Sequence, residues 1–346
     1  MKLKKSKQVR AEKQVLPPLI RVSSGSAIVL GLIEGLLDAK PTTTYLLTHV
    51  KGKCLANCGF CSQAKSSKSR ADMLSRVAWP VFETKKVVSK LQAAAQGGMT
   101  RRICIQALNY PTVLEDLLTL VTEIKAKRIG IPVSVSCQPL NRKEMEKLAA
   151  VGVERIGIPL DAATKEVFDR VKGAVADGPY DWERQHDALL DAVEVFGEGR
   201  VSTHLMVGLG ETEKEMIKAI QWCTDNNIHP GLFSFTPIPG TALEHNHPPN
   251  LIQYRRIQLA RYLMVHGKTR LEKMKFNEKD NIVDFGVLPK LLKDVIQGGK
   301  PFLTSGCPNC NRPYYNEKPS GPLYNFPIQP TLQEVEEIEE QLTNDG

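Results

Sequence analysis

The amino-acid sequence predicts an α/β fold, a (βα) barrel of TIM type, full or partial, with a Pro-rich C-terminal extension. Three observations carry this expectation. From Thr42 to about Gly298, short β-rich runs alternate with amphipathic helical runs. Repeated strand–helix units with short connections imply a parallel sheet, and six or more imply a barrel. Beyond Gly298 the texture changes, with Pro301, Pro308, Pro313, Pro319, Pro322, Pro327 and Pro330 in a stretch of little helical period. The expected organisation is an N-terminal arm and helix over residues 1–40, the barrel over 41–298 and the extension over 299–346.

The elements follow in order. Residues 42–49 read as a strand leading into a cysteine-rich loop. A helix is expected over 79–96, a strand over 101–108, a helix over 113–128, a strand over 133–137 and a helix over 142–150. Residues 154–160 read as a strand, with helical sequence across 165–171 and 181–196. Strands at 201–209 and 232–236 flank a helix at 213–226. A long helix spans 251–266, a further turn or two covers 289–296, and the acidic run 334–341 forms a short terminal helix. There is no solenoid-type repeat.

With 346 residues and 42% hydrophobic content, the chain can bury one large core. Length alone suggests about two domains, yet α/β barrels of this size form one. The net charge is +8, and the first thirteen residues contribute Lys2, Lys4, Lys5, Lys7, Arg10 and Lys13 against Glu12. That run reads as a solvated arm. With no added RNA-binding module, nucleic acid is not expected as a partner. The longest early apolar stretch, 27–37, is interrupted by Glu34 and is too short to span a bilayer. It also lacks a signal peptide's core and cleavage site, so the expectation is a cytoplasmic protein with no membrane contact.

The eight cysteines are unevenly placed: three lie within 54–61, two within 307–310, and Cys104, Cys137 and Cys223 stand alone. In a reducing compartment, clustering points to metal ligation before disulfides. Cys54, Cys58 and Cys61 form a C-x3-C-x2-C run directly after the first strand. A [4Fe–4S] cube normally takes four thiolates, so three local ones leave one iron open to a chelating small molecule. Zinc sites usually use paired C-x2-C ligands and four donors, a poor fit to this spacing.

With aromatic Phe60 before the third cysteine, residues 51–64 resemble the radical S-adenosylmethionine superfamily signature, in register over 42–243. The resemblance implies a [4Fe–4S] cluster on Cys54, Cys58 and Cys61. Its open iron would chelate the amine and carboxylate of S-adenosylmethionine, and reduction would release a 5′-deoxyadenosyl radical. The cofactor does the hard chemistry while the barrel orients it and excludes water. By the same likeness Gly97 and Gly98 receive the methionine end of the cofactor, and Asp161 bonds its ribose. Pro159 stands where the family often has Asn. Gly208 and Glu211 fall in a segment, 207–212, that biotin synthase shares almost letter for letter. Thr236 and Ile238 flank adenine, and Phe60 and Met206 complete the cofactor-contacting positions.

The branch the chain resembles is biotin synthase, through residues 98–104, 133–137 and 207–212. There, lumen cysteines on the second, third and fifth strands hold a [2Fe–2S] cluster that donates sulfur. Cys104 and Cys137 occupy the first two positions, and Ser202 the third. Cys307 and Cys310 are also available. Cys104 and Cys137 lie on neighbouring strands, about 5 Å apart. With the tail pair they supply four thiolates for a second, auxiliary [4Fe–4S] cluster. The alternative is that the tail pair binds zinc or another chain and the strand cysteines are small core residues, as Cys223 is expected to be.

Two cubes in such a barrel resemble the two-subunit lipoyl synthases of archaea, whose tail is similar to residues 307–316. That implies an octanoyl-lysine protein or peptide as substrate, a paralogous partner subunit and an electron donor such as ferredoxin. The radical would take hydrogen from an unactivated carbon, which then attacks a sulfide of the auxiliary cluster. Strand parity puts Ser202, His204 and Met206 on one face and Arg102, Cys104 and Gln106 on another. Ser202 and His204 are the candidate catalytic residues, the first for iron or substrate, the second for orienting substrate. Two other readings stay open: a biotin synthase or another radical enzyme with an electron-transfer cluster, and a non-catalytic iron–sulfur or zinc-binding module.

Overall fold

The structure, a computed structural model, describes residues 15–343, so the basic run at 1–13 lies outside the described residues. Eight strands form one sheet: β1 Leu19–Val22, β2 Thr43–Thr48, β3 Val81–Glu83, β4 Arg102–Gln106, β5 Val133–Ser136, β6 Arg155–Gly157, β7 Val201–Val207 and β8 Ile228–Ser234. Their spatial order is β8-β7-β6-β5-β4-β2-β1-β3. The six strands from β8 to β2 are parallel, whereas β1 is antiparallel to β2 and β3 to β1. This is a partial TIM-type barrel.

Each strand after β2 returns through a helix whose apolar stripe faces the sheet. In Val113–Ala126, for example, Leu117, Leu120, Val121 and Ile124 are buried, the three- and four-residue spacing of one helical face. Arg142–Ala150 and Glu213–Asp225 start on capping boxes, Asn141 with Glu144 and Thr212 with Glu215. Each box satisfies two orphan N–H groups reciprocally. Along β7 burial alternates strictly, with Val201, Thr203, Leu205 and Val207 fully buried and Ser202, His204 and Met206 half-buried toward the lumen.

Two parts of the sequence reading are corrected. The helix expected from residue 79 begins at Thr84, because Pro80 interrupts it and residues 81–83 extend to pair with β1. Trp79 is instead fully buried and meets the edge of Tyr315 at 5.9 Å. The antiparallel strands β1 and β3 were not expected at all.

The extension packs Phe302, Phe326 and Ile338 onto Leu259 and Leu263 of the helix Leu251–Val265. It then crosses the exposed edge of the sheet. Leu232 N–H on β8 donates to Ser305 Oγ at 2.7 Å, and Asn316 Nδ2 donates to Ser234 O at 3.0 Å. At the other side Thr42 N–H donates to Asn311 Oδ1 at 3.0 Å. The segment therefore ties β8 to the start of β2. Among the described residues, no helix is long and apolar enough to cross a membrane.

Candidate active site

Because parallel strands share one direction, the loops after their C-terminal ends gather at one end of the barrel. The cysteine loop follows β2 there. Backbone hydrogen bonds shape it: Cys54 N–H to Gln63 O at 2.9 Å, Cys61 N–H to Cys58 O at 2.9 Å and Lys65 N–H to Ala56 O at 2.8 Å. Gly59 N–H, bonded to Val171 O at 2.7 Å, pins the loop to the neighbouring helix end. The sulfurs already receive backbone donors. Asn109 and Ala56 N–H point at Cys54 Sγ at 3.1 and 3.4 Å, and Gln63 N–H points at Cys61 Sγ at 3.4 Å. Such donors favour the thiolate. Burial pushes the Cys61 thiol up to about 12 and the Cys58 thiol higher, with the Lys172 charge opposing at Cys58. Thiols so placed are inert until a metal takes the proton's place.

The cleft above the loop is lined by all three cysteines, Phe60, Gln106, Ala107, Leu108, Gln138, Asp161 and His204. Gln138 Oε1 is buried with no hydrogen-bond partner, an acceptor left for a polar ligand. The cysteines, their N–H donors and this orphan fit a [4Fe–4S] cluster carrying S-adenosylmethionine. Asp161 adopts a left-handed conformation, φ 66°, rare for a residue with a Cβ. Its neighbours hold it: its N–H bonds His204 O at 2.7 Å and its carbonyl accepts from Met206 N–H at 2.8 Å. Its carboxylate meets the fully buried Lys172, whose ammonium also donates to Pro159 O at 2.7 Å. Sequence reasoning missed Lys172, a single lysine just past a short helix.

A second cavity continues into the lumen and shares Phe60, Cys61, Gln106, Asp161 and His204 with the first. Ser202, Met206 and Thr236 line it, as do Cys104, Cys307 and Cys310. His204 packs 4.6 Å from Phe233, and burial lowers its pKa to about 4 against the opposing Asp161 charge, so the imidazole is neutral at pH 7. Burial raises the Cys104 thiol, the neighbouring Cys307 and Cys310 raise it further, and Arg312 and Arg102 oppose. Arg102 reaches Ser134 Oγ at 2.7 Å and the tail's Pro308 O at 3.3 Å. Tyr45 Oη lies 3.3 Å from Cys310 Sγ, and Arg312 covers the Phe233 ring at 3.6 Å. Arg312 Nε is buried without a partner. Three thiols beside two guanidinium groups, one with an orphan donor, suit an anionic iron–sulfur group. Among the described residues no three His, Cys, Asp or Glu side chains are close enough to hold one metal ion; a cube spreads its thiolates over separate irons.

Four assignments are corrected. Cys137 does not join the lumen trio: Ser134 and Ser136 of β5 line that cavity, and two-residue alternation turns Cys137 to the helix layer. There burial, with the Glu144 charge, raises its thiol to about 12. In the pairing of β4 with β5, Ser134 is the residue opposite Cys104. Gly97 and Gly98 end the helix Thr84–Gln96, exposed, with Gly98 at φ 66°. They precede β4, at the barrel end opposite the cluster loop; the positions that reach the cleft follow β4, at Gln106, Ala107 and Leu108. Glu211 spends both oxygens on its own turn, accepting from Gly208 N–H at 2.7 Å and Leu209 N–H at 3.0 Å. Gly208 is required there, at φ 101° with Pro249 Cδ 2.8 Å from where a Cβ would stand. Ile238 lines an outer groove with Lys68 and Arg76 rather than either inner cavity.

Comparison with known proteins agrees with this geometry. The family model described as Radical SAM superfamily matches residues 50–223. A biotin synthase from Acinetobacter calcoaceticus is 29% identical over 237 residues, 65% of this chain and 66% of its own length, just short of two thirds. One from Hydrogenobaculum sp. is 21% identical over 304 residues, 86% of this chain and 85% of its own. Among solved structures, methylornithine synthase superposes with a TM-score of 0.51 at 14% identity, covering 70% of this chain and 67% of that one. The FeFe-hydrogenase maturase HydG from Carboxydothermus hydrogenoformans gives 0.51 at 16% identity, covering 78% and 59%. At these identities the structures speak for the fold alone.

Proposed function

The chain belongs to the radical S-adenosylmethionine superfamily, and from that premise we propose that it is a sulfur-insertion enzyme, one subunit of a two-protein lipoyl synthase. The observation that supports this most is the lumen trio. Cys104, Cys307 and Cys310 line the cavity that Asp161 and His204 connect to the triad cleft. A substrate in the lumen thus has the radical source on one side and sulfur-bearing ligands on the other.

The bound cofactor pair supplies a 5′-deoxyadenosyl radical. The chain's own residues bind, orient and keep water out. Phe60, Leu74, Met206, Phe233 and Tyr315 give the lumen apolar walls suited to an acyl chain, and neutral His204 offers a hydrogen bond without a charge. Cys104, Cys307 and Cys310 would hold the auxiliary cluster, which would supply the inserted sulfur. An octanoyl-lysine protein or peptide, a paralogous subunit and a ferredoxin-type donor complete this reading on the lipoyl synthase likeness.

The relatives named biotin synthase suggest a second substrate, dethiobiotin. Against it, only Cys104 of the three strand positions presents a thiol to the lumen, since Cys137 faces the helices and position 202 is serine. The deciding assay uses anaerobic enzyme with its paralogue, reductant and S-adenosylmethionine, given an octanoyl-lysyl peptide and dethiobiotin in parallel. Sulfur on the octanoyl chain is the expected product. Biotin instead would overturn the substrate, and absence of 5′-deoxyadenosine with the triad cluster intact would favour a binding module.

A further inference from the structure

We propose that the barrel has a second mouth, at the end opposite the triad, which admits hydrosulfide to the lumen thiols; this rests on the sulfur-insertion reading above. A surface cavity at the N-terminal ends of β6 and β8 is lined by Arg155, Thr224, His229, Gly306 and Pro308. Arg155, His229 and Gly306 also line the lumen cavity that holds Cys104, Cys307 and Cys310. The wall between the two is thin. A Cβ on Gly306 would stand 3.0 Å from Cys310 Sγ.

The charge of that wall selects anions. Arg261 donates from Nη2 to His229 Nε2 at 2.8 Å and from Nε to Pro230 O at 2.6 Å. With Nε2 accepting, the ring carries its proton on Nδ1. Arg155 and Arg312 act on the same imidazole. The Nε groups of Arg155 and Arg312 are both buried without a hydrogen-bond partner. Buried donors are otherwise almost always paired, so two in one chamber mark a place where a polar acceptor fits. Of the nearby carboxylates, Glu154 is engaged by Arg102 at 2.8 Å, and the buried Glu317, which feels the Arg312 charge, accepts from Asn325 at 2.9 and 3.0 Å and from Asn316 N–H at 3.2 Å.

Hydrosulfide is the anion this position needs. Sulfur insertion removes sulfide from the auxiliary group, while the cofactor and an acyl substrate fill the opposite end of the barrel. A port beside Cys310 restores sulfur without displacing either. The step is a ligand substitution: hydrosulfide displaces a water from iron, the S–H proton leaves through the mouth to bulk buffer as the S–Fe bond forms, and no oxidation state changes.

The test uses the full chain with Cys54→Ala, Cys58→Ala and Cys61→Trp, so that the lumen site alone binds iron and the indole closes the passage from the triad cleft. It is stripped and rebuilt anaerobically with ferrous iron and limiting selenide, and selenium per chain is followed in time. In this background Arg155→Met and Thr224→Trp each slow uptake at least tenfold, and Arg155→Lys restores most of it. Thr224→Trp, on the outer rim, decides if Arg155→Met fails to fold. Uptake at the parent rate in both variants overturns the second mouth. A parent that binds neither iron nor selenium overturns the auxiliary cluster itself, a distinct result.

Discussion

The ammonium of Lys172 lies 2.8 Å from Asp161 Oδ2 and is fully enclosed, between the rings of Tyr180 at 5.0 Å and Phe168 at 5.5 Å. It joins the two halves of the cofactor site. Asp161 faces the cleft, and Tyr180 is bonded by Asn109 Nδ2 at 3.1 Å, the residue whose N–H points at Cys54 Sγ. Removing one partner of a buried pair leaves an uncompensated charge and costs about 3–5 kcal/mol. Lys172→Met is therefore expected to weaken S-adenosylmethionine binding at least tenfold and to lower thermal stability. Calorimetric titration and melting check both, and unchanged affinity would detach Lys172 from the cofactor site.

The corrected ligand set separates two variants that the sequence alone placed together. Cys307→Ser is expected to lower bound iron by about half, on the four-iron cube count, while 5′-deoxyadenosine formation persists. Cys137→Ser is expected to leave iron unchanged, because its thiol faces the helix layer. Iron analysis of anaerobic preparations tells them apart; equal losses would return Cys137 to the lumen.

Acid should destabilise the fold through two buried imidazoles. Burial lowers His204 to about 4 and His229 to about 3, whereas the unfolded value is about 6.5. Below that value the unfolded chain binds protons the folded chain refuses, so stability is full above about pH 6.5 and falls as pH drops toward 4. Each histidine contributes a slope of about 1.4 kcal/mol per pH unit within that window. Urea unfolding at pH 7 and pH 5 measures it, and His204→Asn should remove about half of the difference.

Glu211 is expected to matter for folding and not for the cofactor. Glu211→Ala strands the half-buried N–H of Gly208 and the buried N–H of Leu209, the latter at about 1–3 kcal/mol, while S-adenosylmethionine affinity changes less than threefold. A large affinity loss in a variant of normal stability would put the carboxylate back in the cleft.

What could be read from the sequence follows physical periodicity. The two-residue alternation of β7 correctly turned Ser202, His204 and Met206 to one face, and the triad's position after a strand located the cleft. The same parity along β5 separates Cys137 from Ser134 and Ser136, whereas motif position alone groups it with Cys104. Gly97 and Gly98 went astray because a glycine pair does not reveal which end of the next strand it serves. β1 and β3 are four and three residues long, too short for any period to show. Lys172 and the arginines of the lumen carry no local signal, since only the tertiary fold brings them beside Asp161 and the thiols.

The central claim, a second cluster beside the radical one, is tested most directly by iron and acid-labile sulfide per chain, purified without oxygen, for the wild type and for a Cys54/Cys58/Cys61→Ala variant. The account predicts about eight irons in the wild type and about four in the variant, as two cubes require. A variant that retains none would contradict it and leave a one-cluster radical enzyme.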